Sequence, residues 1–478
     1  MAGSSRMSPT EAIMWAVDKD PALRSDYCNL TILDAVPDVR RLRVKLAQAI
    51  AELPRLAERV VAAPLRIAPP EWRPDPTFDL DYHLRRVALP GSGSMRELLD
   101  LSSTLCTLPL DRSRPLWEFT LVEGLEGGRA ALLQRVHHAI VDGVGGLRLS
   151  LTLVDLERDP VPLAVGTARQ LASDEDARRQ REVLGDPIDR DSPADVLREA
   201  VRDAVQSGAG LVRKGAVAGA DLVAHPAAIP PRLADTAALL ASLRRQLLVT
   251  DPARSQLMAE RSLGRRFDVL RLPLDAAAEA AHRFGGSVND LFVTGVSGAL
   301  GLYHSGMGEP TEELRMAMPV NTRSGPADSA ANRFAPTRVL VPLGPKDPRE
   351  RFNAVHARLA AIREEPALDA ADALAALVAG APTSILVSAA RTQTRTVDFA
   401  TSNLRGSPEV LYLGGAKILA TYGIGPRAGC ALNVTAISYA GSLHLGLNSD
   451  PAAVTDPEAL LSCFEESFDA LLAAGISP

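Results

Sequence analysis

The stretch Arg135-Val-His-His-Ala-Ile-Val-Asp142-Gly143-Val-Gly-Gly146 stands where the apolar run Ala130 to Val136 gives way to Leu147-Arg-Leu-Ser-Leu-Thr-Leu153. The run reads as a β-strand ending at the paired histidines, Asp142-Gly143 as a tight corner, and the leucine-rich continuation as a helix. Successive side chains on a strand point to opposite faces. One histidine can therefore face a cleft while the other is held in the body of the fold. Gly143 supplies the backbone freedom a corner needs. An imidazole fixed in a cleft is suited to proton transfer near neutral pH. Spacing alone does not separate that role from a merely hydrogen-bonded histidine. No metal is expected here, because adjacent strand histidines diverge and no third ligand is evident.

Upstream, Leu116 to Val122 alternates like a strand, and Glu126-Gly-Gly128 makes the hairpin that returns the chain along Ala130 to His138. Trp117 on that strand either packs in the core or walls a channel. Met95 to Thr107 and Asp38 to Leu53 carry helical spacing, Tyr27 to Leu33 reads as a strand, and Pro9 to Ala12 begins a helix. His83 lacks a paired acid and a glycine turn, and is read as structural.

Downstream, Val161 to Ala234 changes character. Arg169 to Arg190 is densely charged, Gly208 to Ala220 is rich in Gly and Ala, and Pro226 to Pro231 holds three prolines. This is read as a partly helical crossover between two halves, its charges a solvated face. The second half alternates strand and helix patterns. Ser287 or Asn289 caps a helix whose first-turn acid is Asp290, so a helix start alone accounts for the Asn289-Asp290 pair. Ala373 to Ala390 is free of charge but broken at Gly380-Ala-Pro382, and fits two short buried helices better than a membrane span. Val410 to Ala420, Ala431 to Ser438 and Ser442 to Leu447 read as strands. Leu460, Phe464, Phe468 and Leu471 line one face of a last helix.

At 478 residues the chain is long enough for two ordinary domains. A net charge of −6 and only 4% aromatic residues argue against nucleic-acid binding. The four cysteines are scattered without metal spacing, as in a cytosolic protein with reduced thiols. No apolar signal region follows Met1, so export is not expected.

His137-His138-x-x-x-Asp142-Gly143 resembles the signature of the chloramphenicol-acetyltransferase-like acyltransferases. Further stretches resemble the bacterial wax ester synthase/diacylglycerol acyltransferase group: Pro115-Leu116-Trp117, Asn289-Asp290, Met318-Pro-Val-Asn-Thr-Arg323, Ser402-Asn-Leu-Arg-Gly406 and Ala431-Leu-Asn-Val434. The resemblance implies an α/β fold of two chloramphenicol-acetyltransferase-like domains, each a mixed β-sheet flanked by helices, with the active-site tunnel between them. The halves would be 1–160 and 236–478, joined by a linker at 161–235. It implies esterification of diacylglycerol or a long-chain fatty alcohol by acyl-CoA, with acyl-CoA as co-substrate and no resident cofactor.

His138 would be the general base, His137 an orienting residue, Asp142 a loop-holding acid paired with an unidentified Arg, and Gly143 the turn. Asn289, Asp290, Pro115, Leu116 and Trp117 would lie by the substrate. No covalent acyl-enzyme is expected, since no Gly-x-Ser-x-Gly elbow occurs at the motif. The expected location is cytoplasmic, peripheral to the inner membrane face or lipid droplets, as monomer or homodimer. Two departures, Ala331-Asn-Arg-Phe-Ala335 and Pro319-Val-Asn321-Thr-Arg323, leave the acceptor alcohol open. Another acyl transfer of the same fold, with a different alcohol or a carrier-bound acyl group, and a catalytically silent lipid-binding member are the alternatives.

Overall fold

The computed structural model describes residues 6–62, 69–140, 143–159, 251–321, 334–344, 346–363 and 381–476. Its strands in chain order are β1 (Asp26–Leu33), β2 (Glu58–Val61), β3 (Glu71–Pro74), β4 (Leu84–Ala88), β5 (Trp117–Leu125), β6 (Arg129–His137), β7 (Val154–Asp155), β8 (Arg266–Pro273), β9 (Glu313–Asn321), β10 (Phe334–Pro342), β11 (Phe399–Arg405), β12 (Tyr412–Leu413), β13 (Ala416–Ile424), β14 (Leu432–Tyr439) and β15 (Ser442–Ser449). The helices used below are α1 (Pro9–Val17), α2 (Val39–Glu52), α3 (Leu80–His83), α4 (Met95–Thr107), α5 (Gly143–Thr152), α6 (Leu274–Arg283), α7 (Val288–Gly306), α8 (Pro348–Arg363), α9 (Thr383–Thr394) and α10 (Pro457–Ile476).

Two mixed sheets carry the molecule. The first runs β4-β5-β6-β1-β13-β12-β7 and the second β10-β9-β11-β14-β15-β8. In the first, β4 is parallel to β5 and the remaining pairs are antiparallel; in the second, β11 is parallel to both β9 and β14. Hairpin turns explain the local pairing. Gly127 and Gly128 hold φ of 72° and 71° between β5 and β6, and Ala440-Gly441 hold 44° and 78° between β14 and β15.

The last helix buries Leu460, Phe464, Phe468 and Leu471 in the core of the second half, against α7 and the second sheet. A capping box starts α7: Ser287 Oγ accepts from the Asp290 N–H, and Asp290 Oδ2 accepts from the Ser287 N–H at 2.8 Å. The first sheet is packed on both faces. Cys28, Leu30 and Ile32 of β1 meet Leu98, Leu99 and Cys106 of α4, while Leu149 of α5 and Leu153 just after it cover the other face.

Three expectations are corrected. The strand expected over Val410 to Ala420 is divided by Gly414-Gly415, whose φ values of 54° and 85° turn the chain, and the second arm runs on to Ile424. That arm, β13, pairs with β1 and so completes the sheet of the first half. The described part of the broken apolar segment is not a buried helix. That part, α9, buries only Leu386, against Ala16, Val17 and Leu23, and Ile385 stays 58% exposed; residues 373–380 and the expected linker at 161–235 lie outside the described residues. Trp117, read as core or channel wall on its strand and placed by the substrate on the family resemblance, is a core residue.

The two sheets touch where β13 crosses β15. A Cβ at Gly446 would overlap the carbonyl oxygen of Gly423, so the crossing admits only glycine there. Gly306, at the end of α7, has open space around it. Gly446→Ala should therefore lower stability by on the order of 1–3 kcal/mol, whereas Gly306→Ala should leave it unchanged or slightly raised. Thermal melts of both variants against the parent check this, and equal midpoints would refute the close crossing.

Candidate active site

The residue pair at the end of β6 is held from behind by a buried ion pair. Arg135 Nε donates to Asp26 Oδ2 at 2.9 Å, both side chains are 3% exposed, and the guanidinium also donates to the Leu105 carbonyl at 3.1 Å and to that of Leu108. Burial opposes the charge on Arg135, but the neighbouring groups, Asp26 first among them, together outweigh it and keep the guanidinium firmly protonated. Asp26 sits opposite His137 in the β1–β6 register, and the His138 N–H donates to the Ser25 carbonyl at 3.1 Å. The chain thus leaves the sheet at a fixed point, with the two imidazoles divided between its sides.

His137 is buried and faces away from the cavity. Its Nδ1 accepts from the Ala139 N–H at 3.0 Å and its Nε2 lies 3.3 Å from Asp18 Oδ1. Burial would raise the Asp18 carboxyl, but His137, the Ser25 N–H and Arg112 together hold it below the ordinary range. Arg112 lies 3.0 Å from Asp18 and stacks on the Trp15 ring. The geometry makes His137 a brace between the turn and the segment after α1.

His138 opens on a cavity of about 490 Å³. Its ring lies 4.7 Å from that of Tyr27, centroid to centroid. Gly146 makes this contact possible, since a Cβ there would overlap the Tyr27 hydroxyl. Although one edge meets the cavity, the imidazole is otherwise enclosed. That desolvation, with a lesser electrostatic contribution from the neighbouring His137, pushes its pKa down to about 4 against a smaller opposite pull from Asp26. His138 is therefore neutral at physiological pH, the form that accepts a proton.

Both halves wall this cavity. The first contributes Met14, Tyr27, Asn29, Phe119, Gln134 and Leu149; the second contributes Asn289, Met318, Thr401 to Leu404, Gly423 to Pro426, Asn433 and Thr435. Asn289 Oδ1 accepts from Asn403 Nδ2 at 3.3 Å, which orients the Asn289 amide N–H₂ as a group it can present to a ligand. Asp290 does not line the cavity. It is buried as the cap of α7 and lies 3.1 Å from His356 Nδ1, so its place in the structure is that of a helix start. Gly143 is the first residue of α5, and Asp142 lies outside the described residues.

Pro115, Leu116 and Trp117 do not line the cavity. Trp117 is 1% exposed, donates from Nε1 to the Leu56 carbonyl at 2.7 Å and stacks on His83, while the Leu116 carbonyl accepts from the His137 N–H at 3.0 Å. These residues support the strand that delivers the histidines rather than touching a substrate. His83 is likewise structural: its Nδ1 lies 2.7 Å from the Trp117 carbonyl, and burial lowers its pKa to about 4. Among the described residues no group of three or more His, Cys, Asp or Glu side chains is placed to hold a metal ion. Sequence reasoning missed Tyr27, Asn29 and Gln134. The alternation of polar Tyr27, Asn29 and Thr31 with apolar Cys28, Leu30 and Ile32 was the available signal.

Residues 7–292 match the family described as the wax ester synthase/diacylglycerol acyltransferase catalytic domain, and residues 330–472 match its C-terminal domain. A provisionally named diacylglycerol O-acyltransferase of Mycobacterium tuberculosis is 35% identical over 99% of this chain and 93% of its own length. A second such protein of that organism is 28% identical, over 98% of this chain and 97% of its own. Among solved structures, the wax ester synthase/diacylglycerol acyltransferase of Marinobacter aquaeolei superposes with a TM-score of 0.61 at 22% identity, covering 98% of this chain and all of that one. The starter condensation domain of rhizomide synthetase, in complex with C8-CoA and Leu-SNAC, gives 0.55 at 13% identity, covering 99% and 95%.

Three histidines, His83, His138 and His444, have pKa values lowered to about 4, chiefly by burial. In the unfolded chain each titrates near its ordinary value of about 6.5. The unfolded state therefore binds more protons between these limits, and stability should fall as pH drops from about 6.5 towards 4. Melting midpoints across that range, with imidazole NMR signals assigned by His→Gln variants, check both statements; a His138 resonance titrating near 6.5 would refute the enclosed site.

Proposed function

Because the chain belongs to the wax ester synthase/diacylglycerol acyltransferase family and is an acyltransferase, we propose that it transfers a long-chain acyl group from coenzyme A to the hydroxyl of diacylglycerol or a fatty alcohol. The observation that carries this reading is the neutral His138 opening on a cavity walled by both halves. A ring nitrogen of His138 accepts the hydroxyl proton as the alcohol oxygen attacks the thioester carbonyl. The tetrahedral intermediate then collapses, the C–S bond breaks, and the imidazolium returns the proton to the departing thiolate. The ester and free CoA leave with no acyl group attached to the protein.

Asn289 is the candidate amide donor to the oxyanion, with Asn403 holding its carbonyl. His137 and Asp18 position the turn. The largely apolar lining, with Met14, Phe119, Leu149 and Met318, suits an aliphatic chain and keeps water from the thioester. A fold neighbour that binds C8-CoA supports coenzyme A as the acyl carrier. Among the described residues no helix is long and apolar enough to cross a membrane. The lipid acceptor would then be met at a membrane or droplet surface through peripheral contact.

Purified protein should release free CoA from long-chain acyl-CoA only when diacylglycerol or a fatty alcohol is present. His138→Ala should lower kcat/KM by roughly 10²–10⁴-fold while circular dichroism stays that of the parent. Release without an acceptor would identify a thioesterase instead, and no release with any acceptor would leave a lipid-binding protein. With His138 as base, kcat/KM of the parent should stay level from pH 8 down to 6 and fall only as pH approaches 4, where the imidazole takes up its proton. A steep loss near pH 6.5 would point to a different base.

A further inference from the structure

A second void, about 40 Å³, adjoins the main cavity and is lined chiefly by Leu132, Leu153, Leu411, Leu413, Ile418 and Tyr439. The Tyr439 hydroxyl is already engaged, donating to the Ile418 carbonyl at 3.2 Å and accepting from the Leu411 N–H at 2.9 Å, so the void is apolar in effect. Asn29, Gln134, Ser150 and Ile437 line both spaces.

The order of residues along the strands puts the two voids end to end. On β1 the main cavity is met by Tyr27 and Asn29, the second void by Asn29 and Thr31. On β14 the first is met by Asn433, Thr435 and Ile437, the second by Ile437 and Tyr439; the chain of β11 continues likewise from Leu404 to Gly406 just past its end. β11 and β14 are parallel, so the opposite wall advances in one direction. Two residues of a strand span roughly 7 Å. The second void therefore begins about one pleat beyond the Tyr27 ring that touches His138.

A row of polar side chains divides the two spaces. Asn29 and Gln134 face each other in the β1–β6 register, and Asn29 Nδ2 donates to Gln134 Oε1 at 3.0 Å. Thr421 Oγ1 donates to Asn29 Oδ1 at 2.8 Å, and Ser150 Oγ lies 3.2 Å from Gln134 Oε1. Tied to one another, these groups can face a hydrocarbon without losing a partner. Ile437 stands at the same level on the other wall.

We infer that the Asn29–Gln134–Thr421 row and Ile437 form the floor of an alkyl-chain channel running from His138, and so set the chain length the protein accepts. The inference rests on the proposed reaction and takes as ligand the linear hydrocarbon of either the acyl thioester or the alcohol. Trimming Ile437 joins the leucine-lined void to the channel. Each methylene then newly buried is worth roughly four-fold, and the void has room for one or two.

The test compares the parent with Ile437→Ala and with the milder Ile437→Val, which keeps the core nearly filled. One arm varies acyl-CoA length with a fixed short alcohol; the other varies alcohol length with a fixed acyl-CoA. In one arm the preferred length should move up by one or two carbons, with kcat/KM for the longer substrate rising roughly four-fold per added methylene relative to the parent. The arm that moves identifies whose chain lies in the channel. Adding Thr31→Ile to Ile437→Ala refills the void and should cancel the gain.

Calorimetric binding of non-transferable S-alkyl-CoA and free alkanol series reads the same shift without turnover. A parent inactive with every acceptor whose binding still shifts in length would overturn the proposed reaction and support the channel. Active, folded Ile437 variants with unchanged length profiles in both arms and in binding would overturn the channel.

Discussion

The buried contact between Arg135 and Asp26 fixes where everything else in the site must be. It joins the strand that ends in the histidines to the strand beside it, and through the Leu105 and Leu108 carbonyls it also grips the end of α4. Removing one partner of such a pair leaves an uncompensated buried charge, which typically costs about 3–5 kcal/mol. The register it enforces pairs Asp26 with His137 and leaves His138 as the first residue past the sheet. Arg265 also approaches Asp26, at 3.6 Å, so the second half leans on the same carboxylate.

From this anchor the chemistry follows by proximity rather than by special residues. Arg135 against Asp26, and His137 against Asp18, form a rigid backing. His138 emerges from that backing into a cavity whose far wall belongs to the second half. Helix α4 adds a further tie, since Arg96 reaches Asp268 at 2.7 Å and the Phe267 carbonyl at 2.8 Å. Reaction in a cleft of this kind demands that two bodies hold a constant separation, and these contacts supply that constancy.

Local features were legible in the sequence. The histidine strand, its hairpin partner, the α7 cap and the aromatic stripe of α10 all rest on spacings within one element, and spacing is what a sequence displays. The family likeness placed Asn289 by the cleft, which no periodicity could do, and its contact with Asn403 is a finding of the structure. What escaped was set by distant pairing. Gly414-Gly415 marks a hairpin in the sequence, but nothing between Val410 and Ala420 announces that both its arms join the sheet of the first half. The family likeness put the Pro-Leu-Trp stretch by the substrate, whereas an aromatic on a strand usually packs in the core, and the Trp117 indole N–H indeed finds its partner there in the Leu56 carbonyl. The polar face of β1 was visible as alternation, but its meaning depended on Gln134 and Thr421, each from a remote part of the chain.

The strand Ala416–Ile424 gives the molecule an interlocked character. It is made last among the strands of the first sheet but lies between β1 and β12, hydrogen-bonded along the edge of β1. A polypeptide ending near residue 160 would leave β1 with a bare row of amides and carbonyls, a ready template for another strand. During synthesis, the amino-terminal portion must therefore wait, unfinished, until some 250 further residues have been made. Its solubility in that interval is a matter for whatever shields an open edge in the cell.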